Sequence, residues 1–172
     1  MKTEKEHFHI LAMLVNNEPG VLSRISGMFR KRNFNIESLT VGHSTQPGVS
    51  RMTIAFHGKD KTYRQLIKQL ENIYDVIKTE DLPTRNSIIR DLALIKVRIR
   101  NKADKERIDQ LCSKDYMAKV VYANADSVVV EIVDTPEKVN GFLKEAEKSG
   151  IREIARAGVT AMFKGHDQFE VL

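Results

Sequence analysis

The order of apolar periodicities along the chain constrains the fold more than any single motif, because one six-element pattern occurs twice. Residues His7 to Val15 alternate as a strand, and Asn16-Asn17-Glu18-Pro19-Gly20 reads as a turn. Val21, Leu22, Ile25, Met28 and Phe29 then recur at the spacing of an amphipathic helix, with Pro19 suited to its start. Asn33, after the basic stretch Arg30-Lys31-Arg32, is a residue type that tolerates the left-handed conformation used to end helices. Phe34–Gly42 and Ser50–His57 read as strands joined at Gln46-Pro47-Gly48. Asp60 reads as the cap of a second helix carrying Tyr63, Leu66, Ile67 and Leu70, and Ile73–Thr79 closes the unit.

The order then repeats. Leu92–Arg100 reads as a strand and Asp104–Cys112 as a helix. Ala118–Ala123 and Ser127–Val133 pair through Asn124-Ala125-Asp126. Thr135-Pro136 opens a helix that stops at Gly150, and Ile151–Met162 is the last strand. Two βαββαβ units predict an α+β protein with two ferredoxin-like domains. The boundaries fall at 1–82, a linker at 83–90, and 91–172. Helices on one face of each sheet leave the other face open. Yet the first strand is apolar on both, with Ile10, Ala12 and Leu14 on one side and Leu11, Met13 and Val15 on the other. The open face and the edge strand are therefore expected to be covered by association.

Composition narrows the function classes. Hydrophobic residues at 41% and charged residues at 30% describe a globular chain. The formal net charge is +5, but the signs interleave: up to Thr84 there are twelve Lys/Arg against nine Asp/Glu, and thereafter sixteen against fourteen. That distribution lacks the basic stripe of a nucleic-acid binder. Aromatics are 6% with no Trp, and Ser50–Phe56 offers one aromatic, so the base-stacking sheet of an RNA-binding βαββαβ module is not expected. One cysteine, Cys112, permits no internal disulfide and suits a reducing compartment. The longest apolar run, Ile10–Val15, is far short of a membrane span, and MKTEKEHFHI does not read as a secretory signal.

The segments that carry a resemblance are Asn17-Glu18-Pro19-Gly20-Val21-Leu22-Ser23-Arg24, then Phe34-Asn35-Ile36-Glu37-Ser38-Leu39-Thr40-Val41-Gly42, then Ser50-Arg51-Met52-Thr53-Ile54. With Ala118-Lys119-Val120-Val121 and Ile151–Gly158, they resemble the small, regulatory subunits of acetolactate synthase, an ACT-domain family, over nearly the whole chain. The pattern departs from the family at Asn33, where Gly is usual, and around Lys114–Ala118, where a Phe-Arg pair is more common. The resemblance implies a non-catalytic chain that activates a separate catalytic large subunit and brings it valine feedback in branched-chain amino acid biosynthesis. It implies a cytoplasmic homodimer or higher assembly through ACT domains, with no cofactor in this chain. Thiamine diphosphate, Mg and FAD are expected in the catalytic partner. An ACT-type amino-acid sensor of another enzyme or of transcription is the alternative.

The implied effector site takes Asn17, Gly20, Val21 and Leu22 from one chain and Asn35 and Ile36 from its mate. Physical chemistry suits these positions. A helix start offers free N–H groups to a carboxylate, Gly20 allows close approach, the two Asn amides can meet both charged groups of an amino acid, and Leu22 and Ile36 suit an aliphatic side chain. His7 and His9 share a strand parity but lack a third metal ligand at suitable spacing, and His43, His57 and His166 are scattered. Cys112 has no Cys–His arrangement, and no phosphate-binding loop or nucleophile–base set is visible, so no catalytic residue is expected. Lys96, Arg98 and Arg100 share a strand face that reads as solvated, or as a dock for an acidic partner that helps couple effector binding to activity.

Overall fold

The structure is a computed structural model that describes residues 5–165 and Phe169. These residues form two compact units: residues 5–88 with 159–165 and Phe169, and residues 89–158. The sequence boundary within 83–90 lies close to the first division, but the chain's end groups with the first unit.

The first unit runs β1 (His7–Asn16), α1 (Val21–Lys31), β2 (Ile36–His43), β3 (Val49–Gly58), α2 (Asp60–Leu70) and β4 (Val76–Asp81). Its antiparallel sheet has the order β2-β3-β1-β4, which places β2 at one edge. Leu11, Met13 and Val15 of β1 and Met52, Ile54 and Phe56 of β3 pack under Val21, Ile25 and Phe29 of α1 and Tyr63, Leu66 and Leu70 of α2. Asn33 has φ 57° and ends α1 as its chemistry foretold. Asn33 N donates to Arg30 O and Phe34 N to Phe29 O, the paired bonds of a left-handed helix stop. Phe34 then closes against Phe29 and Phe56. Asp60, expected as a cap, is instead the first residue of α2 after Lys59, and its carboxylate accepts from His7 Nδ1 at 2.9 Å.

The far face of this sheet corrects one expectation, because the chain covers it without a partner. Ile10, Ala12, Leu14 and Ala55 are all buried, as are Leu82, Val159, Ala161 and Phe169. Ser38 Oγ accepts from Val159 N at 3.1 Å, Thr40 Oγ1 donates to Val159 O at 3.1 Å, and Arg51 Nη2 donates to Ala161 O at 2.8 Å. The Phe169 ring lies beneath the Arg51 guanidinium at 5.1 Å and Lys78 Nζ at 5.3 Å. The two edges of this sheet are β2 and the shorter β4 (Val76–Asp81), and β2 presents the longer of the two.

The second unit contains most of β5 (Ser87–Arg98), then α3 (Lys102–Gln110), a π turn (Leu111–Asp115), β6 (Lys119–Ala123), β7 (Ser127–Asp134), α4 (Pro136–Ala146) and the first part of β8 (Ile151–Phe163). The sheet order is β6-β7-β5-β8. Its core joins Ala93, Ile95 and Val97 with Val128, Val130 and Ile132, under Ile108 and Phe142. Asn101 caps α3 by accepting from Asp104 N at 2.9 Å, so that helix begins two residues earlier than the sequence suggested. Gly150, at φ 94°, follows the turn after α4 and sends the chain into β8.

Candidate functional site

The turn after β1 is held at both ends by backbone. Asn16 N donates to Asp75 O at 2.9 Å, and Asn17 N donates to Gly48 O at 2.8 Å. Gly20 is the N-cap of α1 with φ 86° and ψ −10°, a left-handed conformation that a side chain disfavours. No side chain caps this helix and no acidic residue lies in its first turn, so its N-terminal positive end is not neutralised locally. Asn17 and Gly20 are exposed, and Leu22 presents an apolar side chain at 46% exposure. Val21 instead points into the core, so what it can offer a ligand is backbone.

One guanidinium in this place escaped the sequence reading. Arg24 Nε donates to Asp75 Oδ2 at 2.6 Å, and Asp75 is only 4% exposed while the Arg24 side chain is half-exposed. A Cβ added to Gly20 would lie 3.1 Å from Arg24 Nη1. A buried carboxylate thus fixes a cation over the start of α1. Arg24 lies one helical turn from Gly20, which was a usable signal; Asp75, 51 residues away, left none.

Asn35 and Ile36 lie elsewhere. Asn35 is exposed immediately before β2, and half-buried Ile36 packs on the core. Along β3, Ile36 pairs with Phe56, whereas Asn16 pairs with Val49. Those partners are seven residues apart on one strand, which is roughly 23 Å. Within one chain the fold therefore holds the two groups of expected ligand contacts at opposite ends of the sheet.

The other singled-out residues have structural roles. His9 is buried; its Nε2 lies 3.1 Å from Gly58 O and its ring stacks on Tyr63 at 4.1 Å. His57 contacts Glu37, His43 is exposed, and His166 lies outside the described residues. Among the described residues no group of three or more His, Cys, Asp or Glu could hold a metal ion. Cys112 is buried, and burial pushes its thiol up to about 11, away from nucleophilic reactivity. Lys96, Arg98 and Arg100 do not act as one basic face. Lys96 Nζ donates to Glu153 at 2.6 Å, and Arg100 turns to Ser149 O at 2.7 Å and to Asp104. Arg98 alone of the three has no ion-pair partner among the described residues.

Comparison with known proteins agrees with this architecture over both units. Residues 11–78 match the family described as the AHAS small subunit-like ACT domain, and residues 90–165 match the family of the small subunit of acetolactate synthase. The chain is 40% identical to the probable acetolactate synthase small subunit of Methanothermobacter thermautotrophicus, over 91% of this chain and 93% of that one. It is 39% identical to the acetolactate synthase small subunit of Bacillus subtilis, over 92% of each. The crystal structure of the Thermotoga maritima acetolactate synthase small subunit superposes with a TM-score of 0.85 at 36% identity, covering 94% of this chain and 99% of that one.

Proposed function

The chain belongs to the acetolactate synthase small-subunit family, and from that membership we propose that it is a non-catalytic subunit that activates a separate catalytic subunit and carries valine feedback to it. The thiamine diphosphate, Mg and FAD of the reaction belong, in this reading, to the catalytic partner. The effector site is built between two copies of the first unit. The observation that carries this is the separation of the Asn17–Gly20 turn from Asn35 and Ile36, together with the unpaired edge of β2.

Antiparallel pairing of β2 with β2 of a second copy, centred on the strand, sets Ile36 of one chain opposite the His43 end of its mate. His43 pairs with Ser50, the end of the sheet where the mate's turn lies. That turn leads off the mate's β1, three strand spacings from the first chain's β2, a lateral distance of about 14 Å rather than roughly 23 Å. Pairing thus brings the two groups near each other in trans.

Each residue then has a role. The valine carboxylate meets the open N–H groups of α1 and the Arg24 guanidinium, with Gly20 leaving room for it. Asn17 and Asn35 supply amide donors and acceptors for the two charged groups. Leu22 and Ile36 face the isopropyl group. Because each ligand touches two chains, binding favours one arrangement of the pair, and that preference is the coupling that feedback requires. Calorimetric titration with valine, leucine, isoleucine and threonine tests the reading. Saturable heat with valine is the expected result, and flat titrations with all four contradict it.

A further inference from the structure

The two sheets differ in how their helix-free faces are treated. In the first unit that face is buried by the chain itself. In the second, alternate residues of β5 turn away from the helices and stay open: Leu92 and Leu94 are 38% and 39% exposed. Val133 lies directly across from Leu92, and Tyr122 across from Val129; they are 51% and 56% exposed. These side chains form an apolar strip over three strands, with Glu131 opposite Leu94 and Lys96 opposite Val129 within it. Water contact on such a strip is unfavourable in proportion to its area, and a patch of this kind marks an interaction site.

The charges on this face indicate what covers it. Lys96 is held by Glu153, and Lys119 lies across from Glu131, which leaves Arg90 and Arg98 of β5 as the excess cations. A second copy of the face offers only carboxylates already opposite its own lysines, so self-stacking leaves both Arg98 groups without a counter-ion. A partner surface with an apolar centre and a free carboxylate fits better. We propose that the helix-free face of the second unit docks the catalytic subunit, with Leu92, Leu94, Val133 and Tyr122 as the apolar centre and Arg98 at its rim. This rests on the reading of the chain as a subunit that joins a catalytic partner.

The test measures the Kd of purified catalytic subunit for the full chain and for two variants, Leu94→Glu and Arg98→Glu. Both side chains are exposed, so both variants are expected to fold and to bind valine as wild type does. Leu94→Glu is expected to weaken docking about tenfold or more. Arg98→Glu is expected to weaken it less and to flatten its salt dependence. Wild-type Kd in both variants overturns the proposal and leaves the functional reading standing. A free Leu94→Glu chain that sediments as a smaller oligomer than wild type also overturns it, since the face then binds a second copy. If the wild-type chain itself does not bind the catalytic subunit, the functional reading fails and the proposal with it.

Discussion

Asp75 holds Arg24. The carboxylate is buried, the guanidinium is half-exposed, and the 2.6 Å bond between them aims the rest of Arg24 over Gly20. Arg24→Ala removes a cation from the proposed effector site and leaves Asp75 buried without its partner. The expected result is a loss of stability of about 1–3 kcal/mol and weaker valine binding. Asp75→Asn keeps the shape but loosens the guanidinium, so valine affinity is expected to fall with little change in melting temperature. Thermal unfolding and calorimetry on the same samples separate the two effects. Undiminished valine affinity in both variants removes Arg24 from the site.

Gly20→Asp meets two obstacles at once. The backbone there has φ 86°, which costs a side-chain-bearing residue about 1–2 kcal/mol. The added carboxylate also comes within reach of Arg24 and takes the position assigned to the ligand's own. The variant is expected to fold, to activate the catalytic subunit and to ignore valine. Turnover assays with and without valine decide it; normal inhibition contradicts the helix-start site.

Dimerisation through β2 is tested at its exposed edge. Val41 is half-exposed, whereas Leu39 packs on the core, so a change at Leu39 confuses folding with pairing. Val41→Lys places a charge on an edge that must pair with its own copy. Sedimentation is expected to show a monomer at concentrations where wild type is a dimer. A dimer of unchanged affinity shows that β2 is not the joint.

The covering of Ile10, Ala12, Leu14 and Ala55 by residues 159–165 and Phe169 predicts the fate of a fragment. A chain cut at residue 82 contains every expected effector contact but loses that cover. It is expected to bind a hydrophobic dye and to melt well below the full chain, because each re-exposed apolar side chain costs about 1–2 kcal/mol. A fragment as stable as the full chain contradicts the role given to the C-terminal segment.

Much of this was legible locally. Both βαββαβ orders, the helix stop at Asn33 and the opening at Thr135-Pro136 follow from spacing and turn chemistry that act over a few residues. The failures were tertiary. A second cover for β1 comes from about 150 residues downstream, and periodicity shows only that both strand faces are apolar, not what meets them. Asp60 resembled a cap, but Lys59 takes that place and Asp60 meets His7. Asp75 is one acidic residue near a strand start; only the fold brings it to Arg24.

The central claim, a site completed by two chains, is tested most directly by complementation. Gly20→Asp damages the turn half of a site and Asn35→Ala the strand half, the latter costing about 1–3 kcal/mol of binding. In a mixed dimer one site carries both defects and the other carries neither. Gly20→Asp alone is expected to give little or no binding, and Asn35→Ala alone binding weakened about 5- to 150-fold. After the two are mixed and allowed to exchange, calorimetry is expected to recover wild-type affinity at about a quarter of the wild-type stoichiometry, since half the dimers are mixed and one site in each is intact. No recovered binding in a mixture shown to contain mixed dimers contradicts the account, because each site would then belong to a single chain.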